Sequence, residues 1–304
     1  MIDGIEIIDG HMHIFTSKLT ERVKARVKEK GPEYEKAFGT WQEGFRRKYN
    51  TGFSEENDDP LEKIATDWCA ELDRCGLDKA LFIGLYPEED ELTDFIAAGK
   101  GRFTGFCTVD PLDPRAPELL RKRVKEEGYA GLKLYPPTQC FLPSDRAVYP
   151  LYEEAEALSI PIMFHLGITL SYDTDLRYAD PLELHPVLRD FPEVNIIVPH
   201  FGSGYFRELL FLAYHVNNLY VDTSGTNVWV KYLPYQLELS EVFVRALDIF
   251  GPERIIFGTD SRMLTRGYRE GILKDQLGIL RESGLKSEEL SLIMAGNISR
   301  LTGI

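Results

Sequence analysis

A regular alternation of two kinds of segment is the feature that most restricts how this chain can fold. Short apolar runs rich in β-branched and aromatic residues are each followed by a longer amphipathic segment, which is the pattern of repeated strand-helix units. The predicted strands lie at residues 7–13, 79–85, 103–109, 130–135, 161–165, 194–200, 219–222 and 254–257. Eight such units in 304 residues predict one α/β domain over residues 1–304, a (β/α)8 TIM barrel.

The segments between the strands predict the helices of an outer layer. Gly76 and Gly128 follow two of these segments and indicate where their helices end. The predicted helices lie at residues 18–30, 61–75, 88–98, 117–127, 148–158, 181–190, 205–216 and 240–250, with further helices at the end of the chain.

Residues 31–60 form a long insertion after the first strand, irregular in pattern and rich in aromatic side chains such as Tyr34, Phe38, Trp41 and Phe45. Long loops inside compact domains usually cover or line a binding site. We interpret the insertion as a lid. A small helix packed on the barrel rim is the alternative, and the sequence favours neither over the other.

Two histidines separated by one residue end the first strand. Successive side chains of a strand point to opposite faces, so His11 and His13 are expected on one side and Met12 on the other. Two imidazoles on one side can chelate a metal ion. In the alternative interpretation, one histidine is exposed and the other is hydrogen-bonded to a loop.

Other titratable side chains also fall at predicted strand ends. Lys133 lies near the end of the fourth strand, His165 ends the fifth, His200 ends the sixth and Asp260 follows the eighth. A parallel barrel places its active site at the carboxyl ends of its strands, so these side chains should converge with the first histidine pair. The remaining histidines, His185 and His215, are placed on helices and interpreted as structural.

Composition restricts the class of partner. The formal net charge is −14 and the sequence pI is about 5.0, which argues against nucleic acid because phosphates require clustered Lys and Arg. No basic, apolar and small-residue succession marks a signal peptide, and no apolar run is long enough for a membrane span. We therefore expect a cytoplasmic protein with a small-molecule substrate, and assembly into a homo-oligomer stays open.

The four cysteines, Cys69, Cys75, Cys107 and Cys140, form no zinc-binding or redox pair and are expected to be reduced and mostly buried. Motifs for dinucleotides, for phosphate loops and for a serine nucleophile elbow are absent from the sequence.

With these residues in place, the chain resembles the amidohydrolase superfamily. More narrowly it is similar to the amidohydrolase-related branch, which includes aminocarboxymuconate-semialdehyde decarboxylase, benzoate-type decarboxylases and pyrone-dicarboxylate lactone hydrolase. Beyond the strand-end residues, the matching segments are 102–111, 131–137, 161–165, 198–202, 221–225 and 254–261. The resemblance covers nearly the whole chain and implies a TIM barrel of the metal-dependent hydrolase type.

The resemblance implies that His11, His13, His165 and Asp260 bind a divalent metal, most often zinc in this branch. Imidazole and carboxylate ligands suit zinc, and three or four protein ligands leave a position for water. In relatives with one metal ion, the counterpart of His200 handles protons or polarises the substrate. In relatives with two ions it binds the second.

The chemical state of Lys133 determines whether one metal ion or two are expected. An ammonium has no lone pair, whereas a lysine carbamate can bridge two ions, as in dihydroorotases, whose Lys-Leu-Tyr-Pro stretch this chain resembles. That likeness is partial, because Phe15 replaces the arginine expected after the histidine pair. An ammonium that binds a substrate carboxylate and a buried lysine paired with an acid are the alternatives.

We therefore expect a metal-dependent hydrolase in which metal-activated water attacks an amide, ester or lactone of a small organic acid. Asp260 would take the proton from water and His200 would stabilise the oxyanion. The alternative is a non-oxidative decarboxylase, or carboxy-lyase, for a small aromatic or unsaturated acid, with the same residues around the metal. A barrel that binds a metabolite without catalysis is the third interpretation.

Substrate recognition is assigned to side chains on loops at the catalytic rim. Arg262 and Arg47 are candidates to bind a carboxylate, and Tyr135 and Trp229 are candidates for an aromatic wall.

Overall fold

The computed structural model describes residues 1–49, 57–87, 91–169, 171–262 and 264–304. Eight strands run parallel in one sheet, and their order in space is their order in the chain. The strands are β1 (Ile8–Met12), β2 (Lys79–Ile83), β3 (Phe103–Thr108), β4 (Gly131–Leu134), β5 (Ile162–Phe164), β6 (Ile196–Val198), β7 (Leu219–Asp222) and β8 (Ile255–Ile256). The predicted TIM barrel is confirmed, with each strand at its expected place.

Backbone hydrogen bonds between β1 and the end of β8 close the barrel. The Gly10 N–H donates to the Phe257 carbonyl at 2.9 Å, and the Asp260 N–H donates to the His11 carbonyl at 2.9 Å. The two strands approach so closely that a Cβ on Gly10 would lie 2.6 Å from the Ile256 Cγ2. Glycine is therefore required at this point of the first strand.

The helices surround the strands as the alternation predicts. Gly76 and Gly128 adopt φ of 75° and 78°, left-handed values that end α3 and α5 at the expected residues. The helices are α1 (Ser17–Glu29), α2 (Pro32–Tyr49), α3 (Leu61–Cys75), α4 (Glu91–Ala98), α5 (Ala116–Glu127), α6 (Pro136–Gln139), α7 (Tyr149–Leu158), α8 (His185–Asp190), α9 (Phe206–His215), α10 (Thr226–Trp229), α11 (Leu239–Phe250), α12 (Glu270–Glu282), α13 (Ser287–Ser291) and α14 (Asn297–Thr302).

Two apolar clusters stabilise this arrangement. The inner cluster fills the barrel with strand side chains such as Ile8, Phe106 and Met163, and Ile298 of α14 packs against it. The larger outer cluster joins the strands to the helices. The inner cluster leaves the carboxyl ends of the strands to polar groups, which is where the candidate site lies.

The four cysteines are free thiols, as expected. Cys75 and Cys107 are buried, Cys69 is half-buried and Cys140 is exposed, so the expected burial is found for two of the four. In the described part of the chain, no helix is both long and apolar enough to cross a membrane.

The insertion after β1 differs from the irregular segment expected. Residues 32–49 form the single helix α2, while residues 50–56 lie outside the described part of the chain. The aromatic residues at 34, 38, 41 and 45 are spaced by three or four, which is itself a helical period, and this signal outweighs the lack of a clear apolar stripe. Tyr34 and Trp41 contact Tyr172 in the loop after β5, with ring centroids 5.5 and 5.6 Å apart.

Candidate metal centre

The histidine pair at the end of β1 forms the middle of the site. His11 and His13 are both buried and lie on the same side of the strand, with their Nε2 atoms 3.2 Å apart, as the strand period predicts. Met12 points the other way, into the outer apolar cluster. Gly258 packs so closely behind this pair that a Cβ there would lie 2.9 Å from the His11 Cβ.

The partners of the other ring nitrogens determine where the protons are. The His13 Nδ1 lies 2.9 Å from the Ile83 carbonyl, and the His11 Nδ1 lies 2.7 Å from a carboxylate oxygen of Asp222. Because a carbonyl and a carboxylate only accept, each Nδ1 must donate its hydrogen, and each Nε2 then carries a lone pair when its ring is in the neutral form that binds a metal. Two lone pairs 3.2 Å apart repel each other. A shared cation removes this repulsion, so the donor set fits a metal ion.

Asp260 adds a carboxylate to this pair. Its Oδ1 lies 3.5 Å from the His13 Nε2, and its backbone adopts a left-handed φ of 57°, uncommon outside glycine, which directs the side chain into the site. Burial alone would raise the pKa of Asp260, but Arg262 and Arg269 outweigh burial and hold the pKa below its usual range. Asp260 is therefore an anion at neutral pH.

Among the described residues, two groups could hold a metal ion, each with one ligand atom per residue within 4.8 Å of the others. The first joins His11, His13 and Asp260, and the second joins His11, His200 and Asp222. His165 belongs to neither group. Its ring centroid lies 5.1 Å from that of His200, at the border of the site.

Asp222 is a site residue that the sequence analysis missed. It is fully buried at the end of β7, and besides the His11 ring it accepts hydrogen bonds from the His200 N–H at 3.0 Å and the Ser224 N–H at 2.9 Å. Burial raises the pKa of Asp222, but the charge and hydrogen bond of His11 prevail and keep the pKa below its usual range. Its position at a strand end, the criterion used for the other candidates, would have identified it.

His200 is held by its backbone as well as its ring. It adopts a left-handed φ of 60°, and its carbonyl accepts the indole N–H of Trp229 at 2.6 Å. Burial, together with the nearby charge of His11, lowers the pKa of His200 to about 4, so the ring is neutral at physiological pH.

Lys133 brings an amine to the same region. Its side chain is fully buried, its Nζ has no hydrogen-bond partner in the described structure, and the amine lies 4.9 Å from the centre of the Tyr135 ring. Burial lowers the pKa of Lys133 to about 7, although Asp222 and Asp260 oppose this shift. A buried polar group without a partner is costly, which makes this amine a candidate to contact a bound ligand.

Comparison with known proteins identifies the family. A sequence model described as amidohydrolase matches residues 85–304, well over half of the chain. This chain belongs to the amidohydrolase family. None of the curated proteins compared matches it significantly.

Solved structures share the fold of this amidohydrolase over almost its whole length. A 5-carboxyvanillate decarboxylase from Novosphingobium aromaticivorans, complexed with manganese and 4-hydroxy-3-methoxy-5-nitrobenzoic acid, is 15% identical with a TM-score of 0.70, covering 99% of this chain and 97% of that one. A 2,6-dihydroxybenzoate decarboxylase from Rhizobium is 15% identical with a TM-score of 0.62 over 98% and 99% of the two chains. A probable 2-pyrone-4,6-dicarboxylic acid hydrolase from Acinetobacter baumannii, with citric acid bound, is 14% identical with a TM-score of 0.63 over 99% and 100%.

The two aromatic candidates for substrate binding, Tyr135 and Trp229, both donate hydrogen bonds to backbone carbonyls. The Tyr135 hydroxyl donates to the Gly84 carbonyl at 2.6 Å, and its ring stacks on His165 with centroids 5.9 Å apart. Trp229 is buried and uses its indole N–H for the His200 backbone. Both side chains therefore hold parts of the protein in place.

The two arginine candidates differ in position. Arg262 follows Asp260 closely, and its guanidinium lies 5.9 Å from the centre of the Phe15 ring. Arg47 is exposed in the last turn of α2. His185 and His215 lie on α8 and α9 with ring centroids 6.0 Å apart, away from the histidines of the site.

Proposed function

We propose that this amidohydrolase is a metal-dependent hydrolase that acts on an amide, ester or lactone of a small organic acid. The observation that carries the proposal is the facing pair of Nε2 atoms of His11 and His13, 3.2 Å apart, with the Asp260 carboxylate beside them. Neutral imidazoles and an ionised carboxylate are the ligand forms that a divalent cation requires.

His11, His13 and Asp260 would hold the cation, and His165 is proposed as a further ligand because its ring is adjacent to His200. When bound, a divalent cation lowers the pKa of water and polarises a carbonyl oxygen. These nitrogen and oxygen ligands suit zinc, while manganese is bound in the fold relative from Novosphingobium. We propose zinc, and metal analysis distinguishes the two.

Asp260 and His200 would handle the protons. As an anion, Asp260 can accept a proton from the attacking water and return it to the leaving group. Neutral His200 has no hydrogen on Nε2 if Nδ1 carries it, so it can stabilise an oxyanion only after it takes up a proton at Nε2. Its role is therefore that of a proton acceptor first and a donor second.

Lys133 has two proposed states. A neutral amine can add to carbon dioxide, releasing a proton and forming an anionic carbamate that supplies oxygen ligands for a second ion. A protonated amine can instead bind a substrate carboxylate. Intact mass measurement and the number of bound metal ions, with and without bicarbonate, distinguish the two states.

A carboxy-lyase is the second candidate function. It is favoured by the decarboxylases whose solved structures share this fold over 98% or more of the chain. In that reaction, Asp260 or His200 would protonate the carbon that loses carbon dioxide. The residues around the metal would be the same, so the test must follow the products.

The closing test uses purified protein with its metal content measured, and a panel of small acids, esters, amides and lactones assayed for acid release and carbon dioxide release. Acid release without carbon dioxide supports the hydrolase, and carbon dioxide release replaces it with the carboxy-lyase. The His13→Asn variant should lose metal and activity, whereas His185→Asn, on α8, should keep both. Full-length folded protein without stoichiometric metal would overturn the metal-dependent function and favour the metabolite-binding barrel.

We also propose that the insertion at residues 31–60 acts as a lid and that α1, which precedes it, holds it in place. Arg26 on α1 reaches segments that follow three other strands. It pairs with Asp173 after β5 at 3.1 Å, donates to the carbonyl of Thr138 in α6 after β4 at 3.2 Å, and lies over the Tyr86 ring after β2 at 4.6 Å. Lys30, one helical turn later, also pairs with Asp173. These contacts hold α1 across the strand ends, directly before the insertion.

A further inference from the structure

Ser224 lies between the carboxylate of Asp222 and the ring of His200. It is fully buried just after β7. Its hydroxyl donates to Asp222 Oδ1, and the hydroxyl oxygen lies 2.8 Å from the His200 Nδ1. The carbonyl oxygen of Ser224 lies 2.9 Å from the same nitrogen. Ser224 thus contacts both polar neighbours with its side chain and, since its N–H donates to Asp222 at 2.9 Å, also with its backbone.

These contacts determine the tautomer of His200. A hydroxyl has a single hydrogen, and that of Ser224 is given to Asp222, so the oxygen can only accept from His200. The carbonyl also only accepts. The His200 Nδ1 must therefore carry the hydrogen, and Nε2 carries the lone pair.

We propose that Ser224 is a positioning residue that holds His200 in the Nδ1–H tautomer and connects its imidazole to the negative charge of Asp222. The proposal rests on the proposed function only in assigning proton handling to His200. The Ser224 hydroxyl lies between the His200 ring and the Asp222 carboxylate and hydrogen-bonds to both.

The residue after Ser224 has no side chain and packs directly against the His200 ring. Gly225 follows at φ 65°, and a Cβ on it would lie 3.1 Å from the His200 Nδ1. The neighbouring residue therefore cannot carry a side chain without crowding the ring. This close approach keeps the ring against Ser224.

Asp222 uses different oxygens for its two histidines. Oδ2 accepts from the His11 ring, whereas Oδ1 accepts from Ser224. Removal of the Ser224 hydroxyl therefore leaves the bond between Asp222 and His11 intact. The Ser224→Ala variant should separate proton handling by His200 from metal binding by His11.

The first test compares Ser224→Ala with Ser224→Cys, which keeps a weak donor of similar size. We expect kcat of Ser224→Ala to fall about 10- to 100-fold, the range found when hydrogen-bond partners of residues at a metal site are removed, with Ser224→Cys between it and the wild type. KM and the metal dissociation constant, measured by chelator competition, should change by less than about three-fold, because the ligand bonds remain. Wild-type kcat in Ser224→Ala would overturn the proposal, and so would parallel loss of metal.

The second test needs no substrate. In metal-free protein labelled with 15N-histidine, the His200 signals, assigned with a His200→Asn variant, should show a protonated Nδ1 and an unprotonated Nε2. In Ser224→Ala, the Nδ1 proton should exchange faster with water, since only the carbonyl bond remains. A protonated Nε2 in the wild type would overturn the tautomer assignment. An Nδ1–H signal in a protein that turns over no compound would instead support this inference and contradict the hydrolase assignment.

Discussion

The Nδ1 of His11 lies 2.7 Å from the Oδ2 of Asp222, and both side chains are fully buried. This contact joins the first strand of the barrel to the seventh. It fixes the ring orientation of His11 and leaves its Nε2 facing His13. As a neighbour of the proposed ligand His11, the Asp222 carboxylate can in this way determine the geometry of the candidate metal centre.

Replacement of Asp222 should therefore weaken metal binding. In Asp222→Asn the amide carries less negative charge and cannot accept from all four donors, so we expect metal affinity to fall about 10- to 100-fold. Metal titration with a competing chelator measures this, with circular dichroism to check the fold. Asp113→Asn, in an exposed turn paired with Arg115, is the control and should bind metal as the wild type does. Equal affinity in both variants would contradict the role given to Asp222.

Lys133→Met should stabilise the metal-free protein at pH 7 by roughly 2–4 kcal/mol. The folded pKa of Lys133 is about 7 against 10.5 in the unfolded chain, so in this window the unfolded chain binds a proton that the folded chain lacks. The free energy of unfolding of the wild type should then rise with pH from about 7 toward 10.5, and this part of the rise should vanish in the variant.

Urea unfolding at several pH values, in chelator and without carbon dioxide, measures the effect of Lys133. The exposed Lys274→Met variant serves as the control and should change stability by less than about 0.5 kcal/mol. If Lys133→Met is no more stable than the wild type at pH 7, the amine has a partner in solution.

Trp229→Phe distinguishes a positioning role from a substrate wall. The indole N–H donates to the His200 carbonyl at 2.6 Å, so its loss should loosen His200 and lower kcat about ten-fold with KM nearly unchanged. Steady-state kinetics on the substrate found in the panel separates the two parameters. A rise in KM at constant kcat would restore the aromatic-wall interpretation made from the sequence.

Asp173→Asn should release the proposed lid. Arg26, Lys30 and Tyr34 all contact this carboxylate, and together their loss should cost ~1 kcal/mol locally, or about five-fold faster native-state proteolysis within residues 17–49. Mass spectrometry of the first cleavage products locates the cuts. Asp175→Asn, in the same loop but paired with exposed Arg177, should leave the rate unchanged. Equal rates in the two variants would mean that Asp173 does not fasten the insertion.

Local rules of strand geometry accounted for much of the fold and for part of the site. The alternation of segments predicted every strand, and the two-residue period placed His11 and His13 on one side because both depend only on neighbouring residues. Asp222 and Ser224 were missed as site residues. Their importance comes from contacts with His11 and His200, which lie 211 and 24 residues away in the chain.

The same distinction explains the aromatic candidates. Tyr135 and Trp229 do follow β4 and β7, Trp229 in the short helix α10, but their hydrogen bonds to the backbone of Gly84 and His200 depend on how the segments after separate strands fold back. A short periodic pattern in the sequence does not encode such long-range contacts. The regular helix α2, in contrast, could have been predicted from the spacing of its aromatic residues.

The hydrogen bonds that close the barrel between the first and eighth strands form late in biosynthesis. His11 and Asp260 lie far apart in the chain, and the Asp260 N–H bonds to the His11 carbonyl at 2.9 Å only when the eighth strand has docked. A nascent polypeptide on the ribosome would present two imidazoles without this carboxylate until residue 260 has emerged. With the proposed ligands, tight ion capture would wait for the eighth strand, and truncated products that lack this strand would compete poorly for metal.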